Sequence, residues 1–179
     1  MTAPWKPGDR VADTDSMIRV DQAGEYGAIR IYAGQMAVLR NKSATAHEIA
    51  RMASQEQRHL DRFDRLVAER GVRPTALQPI WNVAGFALGA ATALISEEAA
   101  MACTEAVETE IDRHYGQQLD EIGSDDPELS ADITRFRAEE LEHRDTARAY
   151  GAANAPGYPL LTAAIRAGCR VAIGLSKRI

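Results

Sequence analysis

Two stretches, EQRHLDRF at 56–63 and EELEHRDTARAY at 139–150, each place a glutamate three residues ahead of a histidine inside an amphipathic helical pattern. The core-facing row of the first runs Met52, Glu56, His59, Phe63, Leu66, and that of the second Leu129, Ile133, Phe136, Glu140, His143, Ala147, Tyr150. The i, i+3 spacing turns both polar residues to one helix face, the face that the flanking apolar residues mark as buried. An ionised carboxylate in a core is expensive unless it is paired, hydrogen-bonded or bound to metal. Two such faces in one small domain must therefore meet around a shared partner, which restricts the fold to helices packed with these rows inward.

The rest of the chain fits that demand. At 179 residues it has the length of one compact domain. With 45% hydrophobic but only 6% aromatic residues it suits close helix packing better than a β-sandwich. The fold class expected is all-α, a four-helix bundle with an additional C-terminal amphipathic helix. A frayed start over 1–12 precedes a single domain over 13–179. Helix A runs from Asp13 to about Arg40 with Ile18, Glu25, Ile29, Tyr32, Met36 and Leu39 on one stripe. The capping-box pattern TAHE at 45–48 opens helix B, which Gly71 and Pro74 stop. Asp126 followed by Pro127 opens helix D, which ends at Gly151.

No charged residue occurs between Pro74 and Ser96. A spanning helix wants about 20 apolar residues, more than this interrupted stretch offers. It is expected instead to start a long helix C, continuing to Gly123, that lies against a membrane or lines an apolar channel. In the last segment, 158–179, Arg166, Arg170 and Lys177 share a stripe. That pattern suits either an interfacial anchor or a fifth helix capping the bundle.

The two halves look duplicated. Glu56 and Glu140 lie 84 residues apart, as do His59 and His143, while Glu25 of helix A and Glu108 of helix C lie 83 apart. Each single glutamate precedes its Glu-x-x-His partner by 31 or 32 residues, which sets them at similar heights in antiparallel helices. Glu25, Glu56, His59, Glu108, Glu140 and His143 are thus the candidate metal ligands, with Glu105 and Glu110 as neighbouring alternatives on helix C. Oxygen and imidazole donors without thiolate suit iron or manganese better than structural zinc. A glutamate from each of two helices and Glu-x-x-His from two others is the layout of ferritin-like dinuclear proteins. Glu139 and Glu142 read as solvated charges, His47 and His114 as surface histidines, and Tyr32 and Tyr115 as core filling. Asp21 is placed to hydrogen-bond a ligand histidine.

The net charge of -5, with no basic stripe, excludes nucleic acid as a natural partner. Cys103 and Cys169 form no disulfide framework, and the opening MTAPWKPGDR lacks a signal peptide's apolar core, so a reducing, cytoplasmic setting is expected.

RVDQAGEYGAIRIYAGQMAVL at 19–39, EQRHLDRF, ALGAATAL with MACTEAVE, FRAEELEHRD and the tail AGCRVAIGLSKRI together resemble the demethoxyubiquinone hydroxylase family. The likeness covers nearly the whole chain past residue 15 and implies a di-iron enzyme with two Fe2+ per subunit. It further implies an enzyme, peripheral on the cytoplasmic face of the cell membrane, that uses O2 to hydroxylate the ring of a polyprenylated quinol in ubiquinone biosynthesis. NADH is the implied reductant, although no Gly-rich dinucleotide loop is present, and other proteins of the pathway are implied partners. Carried over by motif, the ligands are the same six residues, with Glu56 and Glu140 bridging. The absence of a mitochondrial presequence suggests a bacterial member. The rival readings are a ferritin-like iron-handling or peroxide-reducing protein and a metal-free lipid carrier.

Overall fold

The computed structural model describes residues 12–40 and 42–179; the expected frayed start therefore falls outside the described residues except for Ala12. The described residues form six α-helices: α1 (Thr14–Leu39), α2 (Ala44–Arg70), α3 (Gln78–Ile95), α4 (Glu97–Ile122), α5 (Pro127–Ala149) and α6 (Tyr158–Ser176). Among the described residues there is no strand. The hairpins α1/α2 and α4/α5 form the bundle, while α3 packs on α1 and α4, and α6 on α4.

Local chemistry sets the helix ends. Asp13, Ser43, Ser96 and Asp126 each accept a hydrogen bond from a backbone N–H of the first turn, satisfying a donor that the helix itself leaves open. The start of α2 differs from expectation, because Ser43 rather than Thr45 is the cap, its Oγ 3.1 Å from the Ala46 nitrogen. Gly71 ends α2 at φ +66, a left-handed conformation that glycine adopts at little cost.

The expected continuous helix C is two helices. Ser96 stands extended, at φ -173 and ψ 169, where its N–H closes α3 on the Thr92 carbonyl and its side chain caps α4. Glu97 and Glu98 then occupy the first turn of α4, where the helix dipole favours anions.

The docking of α3 on α1 depends on missing side chains. A Cβ at Gly89 would lie 1.9 Å from the Ile31 carbonyl oxygen, and one at Gly34 2.2 Å from that of Phe86. The two backbones touch directly at Gly89, and at Gly85 a Cβ would lie 3.0 Å from the Gly27 carbonyl oxygen.

The cation row of α6 faces inward. Arg166 and Arg170 donate to Glu110 Oε1 on α4 at 2.7 and 2.8 Å, while Glu110 Oε2 accepts from Arg113 at 3.1 Å. Burial works against ionisation of Glu110, but the three guanidiniums win and hold its carboxyl below the ordinary range. Outward, α6 exposes Leu160, Val171 and Leu175, and α3 exposes Ile80, Val83, Leu94 and Ile95. Arg166 and Arg170 bind α6 to α4, and apolar side chains form its free face.

Between α1, α3, α4 and α6 lies an apolar cavity of about 520 Å³, lined by Gly27, Ile31, Trp81, Leu88, Ile165 and Cys169 among others. One end is tied by Trp81 Nε1, which donates to Ser176 Oγ at 3.0 Å, and by the Ala76 N–H, which donates to the Ile179 carbonyl.

Candidate metal centre

The core-facing rows of α2 and α5 meet as their sequence patterns require. Phe63 and Phe136 pack with ring centroids 5.5 Å apart, and His59 lies 4.1 Å from the Phe136 ring. Directly beside this apolar layer the six candidate ligands converge, all at most 2% exposed. One donor atom from each of Glu25, Glu56, His59 and Glu140 lies within 4.8 Å of the others, and the same holds for Glu56, Glu108, Glu140 and His143. The two groups share Glu56 and Glu140. Glu105 and Glu110 are elsewhere engaged, Glu105 by Arg148 and Tyr158 and Glu110 by the arginines described above, which selects Glu108.

The side chains leave donor atoms free that nothing else among the described residues uses. Glu25 Oε2, both oxygens of Glu56, His59 Nδ1, Glu108 Oε2 and Glu140 Oε1 are buried without a hydrogen-bond partner. His59 Nδ1 is 3.0 Å from Glu140 Oε1 and 3.5 Å from Glu25 Oε2, but out of line for a hydrogen bond. Unsatisfied groups of this kind are rare in folded interiors, and here they all point to one space. Four carboxylates and two imidazoles so placed fit a buried metal site.

The charge accumulation perturbs the acids. Burial, then repulsion from Glu56, raises the Glu25 carboxyl to about 7. Burial, then Glu140 and Glu56, also pushes Glu108 well up. For His143, burial opposes protonation but Glu140 and Glu56 outweigh it and raise the imidazole to about 9. His59 is likewise raised, by Glu140, Glu25 and Glu56 against burial.

Around the six residues the two hairpins brace each other crosswise. Tyr32 of α1 donates to Glu108 Oε1 at 3.1 Å, and Tyr115 of α4 donates to Glu25 Oε1. His59 Nε2 of α2 is 3.1 Å from Glu139 Oε2 of α5, and His143 Nε2 of α5 is 3.0 Å from Gln55 Oε1 of α2. Each histidine thus donates from Nε2 to the other hairpin and turns Nδ1 inward, the usual way a protein orients a ligand imidazole.

Several expectations are corrected by these contacts. Tyr32 and Tyr115 are hydrogen-bond donors to the site rather than only filler. Glu139 is no free surface charge, since it lies one residue before Glu140 on a helix that turns it to His59. His114 is buried, with its Nε2 3.2 Å from Asp21 Oδ1, and Gln118 donates to the same oxygen at 2.9 Å. Asp21 therefore serves these two residues of α4 and not a ligand histidine. Gln55 was missed altogether, although the 84-residue repeat pairs it with Glu139 and so carried the signal.

Fold and site together define an all-α, ferritin-like protein with a buried Glu/His cluster that fits a metal site. Residues 12–176 match the family model described as "Ubiquinone biosynthesis protein COQ7". The chain is 55% identical over 175 residues to the 3-demethoxyubiquinol 3-hydroxylase of Rhodospirillum rubrum, covering 97% of this chain and 82% of that protein. It is 53% identical over 171 residues to the mitochondrial NADPH-dependent 3-demethoxyubiquinone 3-hydroxylase of Mus musculus, covering 93% and 78% of the two chains. The mitochondrial 5-demethoxyubiquinone hydroxylase of Saccharomyces cerevisiae is 44% identical over 186 residues, covering 95% and 80%. The chain belongs to the COQ7 ubiquinone biosynthesis family.

Proposed function

We propose that this chain is a di-iron monooxygenase that uses O2 to hydroxylate the ring of a demethoxyubiquinol, a polyprenylated precursor of ubiquinone, on the cytoplasmic face of the cell membrane. The observation that carries the reading is the pair of donor groups sharing Glu56 and Glu140. Glu25 and His59 would hold one ion, Glu108 and His143 the other, and Glu56 and Glu140 would bridge them. The iron pair supplies the O2 chemistry, in which one oxygen atom enters the ring and the other leaves as water at the expense of two electrons and two protons.

The protein's own residues do the positioning. Glu139 and Gln55 hold the histidine rings, and Tyr32 and Tyr115 hold the terminal carboxylates. Phe63, Phe136, Ile18 and Met52 close the surroundings to water. The apolar cavity suits the isoprenoid tail, because it offers hydrocarbon contact and almost no polar wall. A seam too narrow for a water molecule, lined by Ala28, Ile31, Tyr32, Thr104, Val107 and Glu108, shares Ala28, Ile31 and Val107 with that cavity, and so sets the tail site against Glu108.

The exposed apolar rows of α3 and α6 flank the cavity and support peripheral attachment to the bilayer. At 18 residues and a mean hydropathy of 1.2, α3 has the length and composition of a membrane span, but its glycine-mediated docking along α1 places it on the surface of the bundle. Electrons come from an external nicotinamide donor. The mouse relative's name specifies NADPH, whereas the sequence resemblance pointed to NADH, and the two are separated by comparing them as reductants.

The deciding experiment is anaerobic loading with Fe(II), addition of a demethoxyquinol and labelled O2, and mass spectrometry of the product. One labelled oxygen in the ring is expected. Unlabelled substrate recovered intact, with iron accumulating far beyond two per chain, would support the iron-storage alternative.

A further inference from the structure

The internal repeat makes one departure from symmetry visible. Shifting α1 onto α4 by 83 residues pairs Glu25 with Glu108, Tyr32 with Tyr115 and Gln35 with Gln118. The same shift pairs Asp21 with Thr104 and Ile31 with His114. Beside Glu25, Asp21, His114 and Gln118 fill the space, with Asp21 Oδ1 accepting from both His114 and Gln118. Beside Glu108, the equivalent positions are Thr104, Ile31 and Gln35, and here Ile31 and Thr104 line the narrow seam that borders the cavity.

Thr104 has an unusual status there. It is 1% exposed, and its hydroxyl has no hydrogen-bond partner among the described residues. Helical threonines ordinarily discharge the hydroxyl onto the carbonyl one turn back, as Thr92, Thr109, Thr134 and Thr162 do in this protein. For Thr104 that carbonyl belongs to Ala100, and Gln35 Nε2 donates to it at 3.0 Å. The Ala100 oxygen already accepts the α4 backbone N–H, so its two lone pairs are taken. Gln35, the repeat partner of the residue that donates to Asp21, has instead occupied the natural acceptor of Thr104. A buried hydroxyl kept without a partner is a cost that folding alone does not explain.

We infer that the Thr104 hydroxyl is a substrate-binding group, which hydrogen-bonds an oxygen substituent of the quinol ring, a hydroxyl or methoxy, when the ring at the inner wall of the apolar cavity parts the closed seam beside Glu108. The inference rests on the proposed hydroxylase reading and adds a specificity residue to it. It also explains why the chain is asymmetric about its repeat. Where hydrogen-bonded Asp21, His114 and Gln118 occupy one side of the ligand cluster, the Thr104 side borders the apolar cavity and carries an unpaired hydroxyl for the ring.

The test compares Thr104→Val, which removes only the hydroxyl, with Thr104→Ser, which restores it. Binding of a demethoxyquinol to the Fe(II)-loaded protein without O2 is followed through Trp81, which lines the cavity. Thr104→Val is expected to weaken binding about tenfold, the effect of one hydrogen bond, and Thr104→Ser to return it to within about twofold. A polyprenylated benzene lacking ring oxygens is expected to bind the wild type and Thr104→Val equally. In urea unfolding of the ligand-free protein, Thr104→Val should equal or exceed the wild type in stability, because no partner is lost. Unchanged quinol affinity in Thr104→Val, or an equal loss for the oxygen-free analogue, overturns the inference while leaving hydroxylation by the wild type intact. A wild type that performs no hydroxylation but binds quinol with this hydroxyl dependence would instead overturn the enzymatic reading alone.

Discussion

Stripping the metal should make the stability of this protein fall as pH rises, the reverse of an ordinary acidic domain. Glu25 titrates near 7 in the fold, against 4.5 for the free side chain. Between those values the folded state keeps a proton that the unfolded chain has released, so stability drains away as pH climbs from about 4.5 through 7. A shift of that size corresponds to about 3 kcal/mol. His143 acts in the same direction in a higher window. Its imidazole is raised from 6.5 to about 9, so its stabilising charge is complete below 6.5 and is lost as pH passes through 9. The metal-free protein should therefore lose at least about 3 kcal/mol of unfolding free energy between pH 5 and pH 8. With metal bound, the carboxylates are neutralised by the ions and binding strengthens as protons leave the ligands. The gap between loaded and stripped protein should widen steadily toward alkaline pH. Urea unfolding of both forms, followed by circular dichroism from pH 5 to 8.5, measures it. A stripped protein whose midpoint stays level or climbs over this range would refute the claim that these groups crowd one unsatisfied buried space.

Replacing Gly89 by valine puts side-chain atoms where the Ile31 carbonyl lies 1.9 Å from the first of them; overpacking costs about 1–3 kcal/mol, and faster hydrogen exchange confined to α3 is the expected signature. Glu110→Gln removes the anion that three arginines share, so α6 amides should exchange faster and quinol binding should weaken, while Fe(II) affinity stays unchanged. Glu139→Gln keeps an acceptor for His59 but removes its charge, and should weaken Fe(II) binding about tenfold in a direct titration; Gln55→Glu, which adds a charge behind His143, should strengthen it. Glu56→Ala, by deleting a ligand common to both donor groups, should abolish paired iron binding, read as loss of the coupled-iron spectrum, with the helical signal retained.

What was legible in advance follows from what is local. Glu56 and His59, like Glu140 and His143, could be placed inside the bundle because helical periodicity puts them in rows with Phe63 and Phe136. Glu25 and Glu108 could be added because the repeat carries one hairpin onto the other. The break at Ser96 was written in local chemistry too, as a serine cap followed by two glutamates, but the apolar run before it masked the signal. The cation row of α6 was correctly seen as a stripe; its direction was not available, since a helix alone does not say which neighbour it will face. Glu110, buried in α4 and in need of countercharge, decided that.

The amino-acid order by itself determined the helices, the duplicated hairpins and the six inward donors, because each depends on spacing along one helix or on the repeat between two. Only the tertiary structure decided that Tyr32 serves Glu108, that Tyr115 serves Glu25, that Glu139 and Gln55 exchange histidines, and that Gln35 leaves the Thr104 hydroxyl free. Those pairings join residues 76 to 90 positions apart, or divert a carbonyl 65 positions away. They depend on how two helical hairpins rotate against each other, an angle set by the packing of whole faces and written in no single stretch of chain.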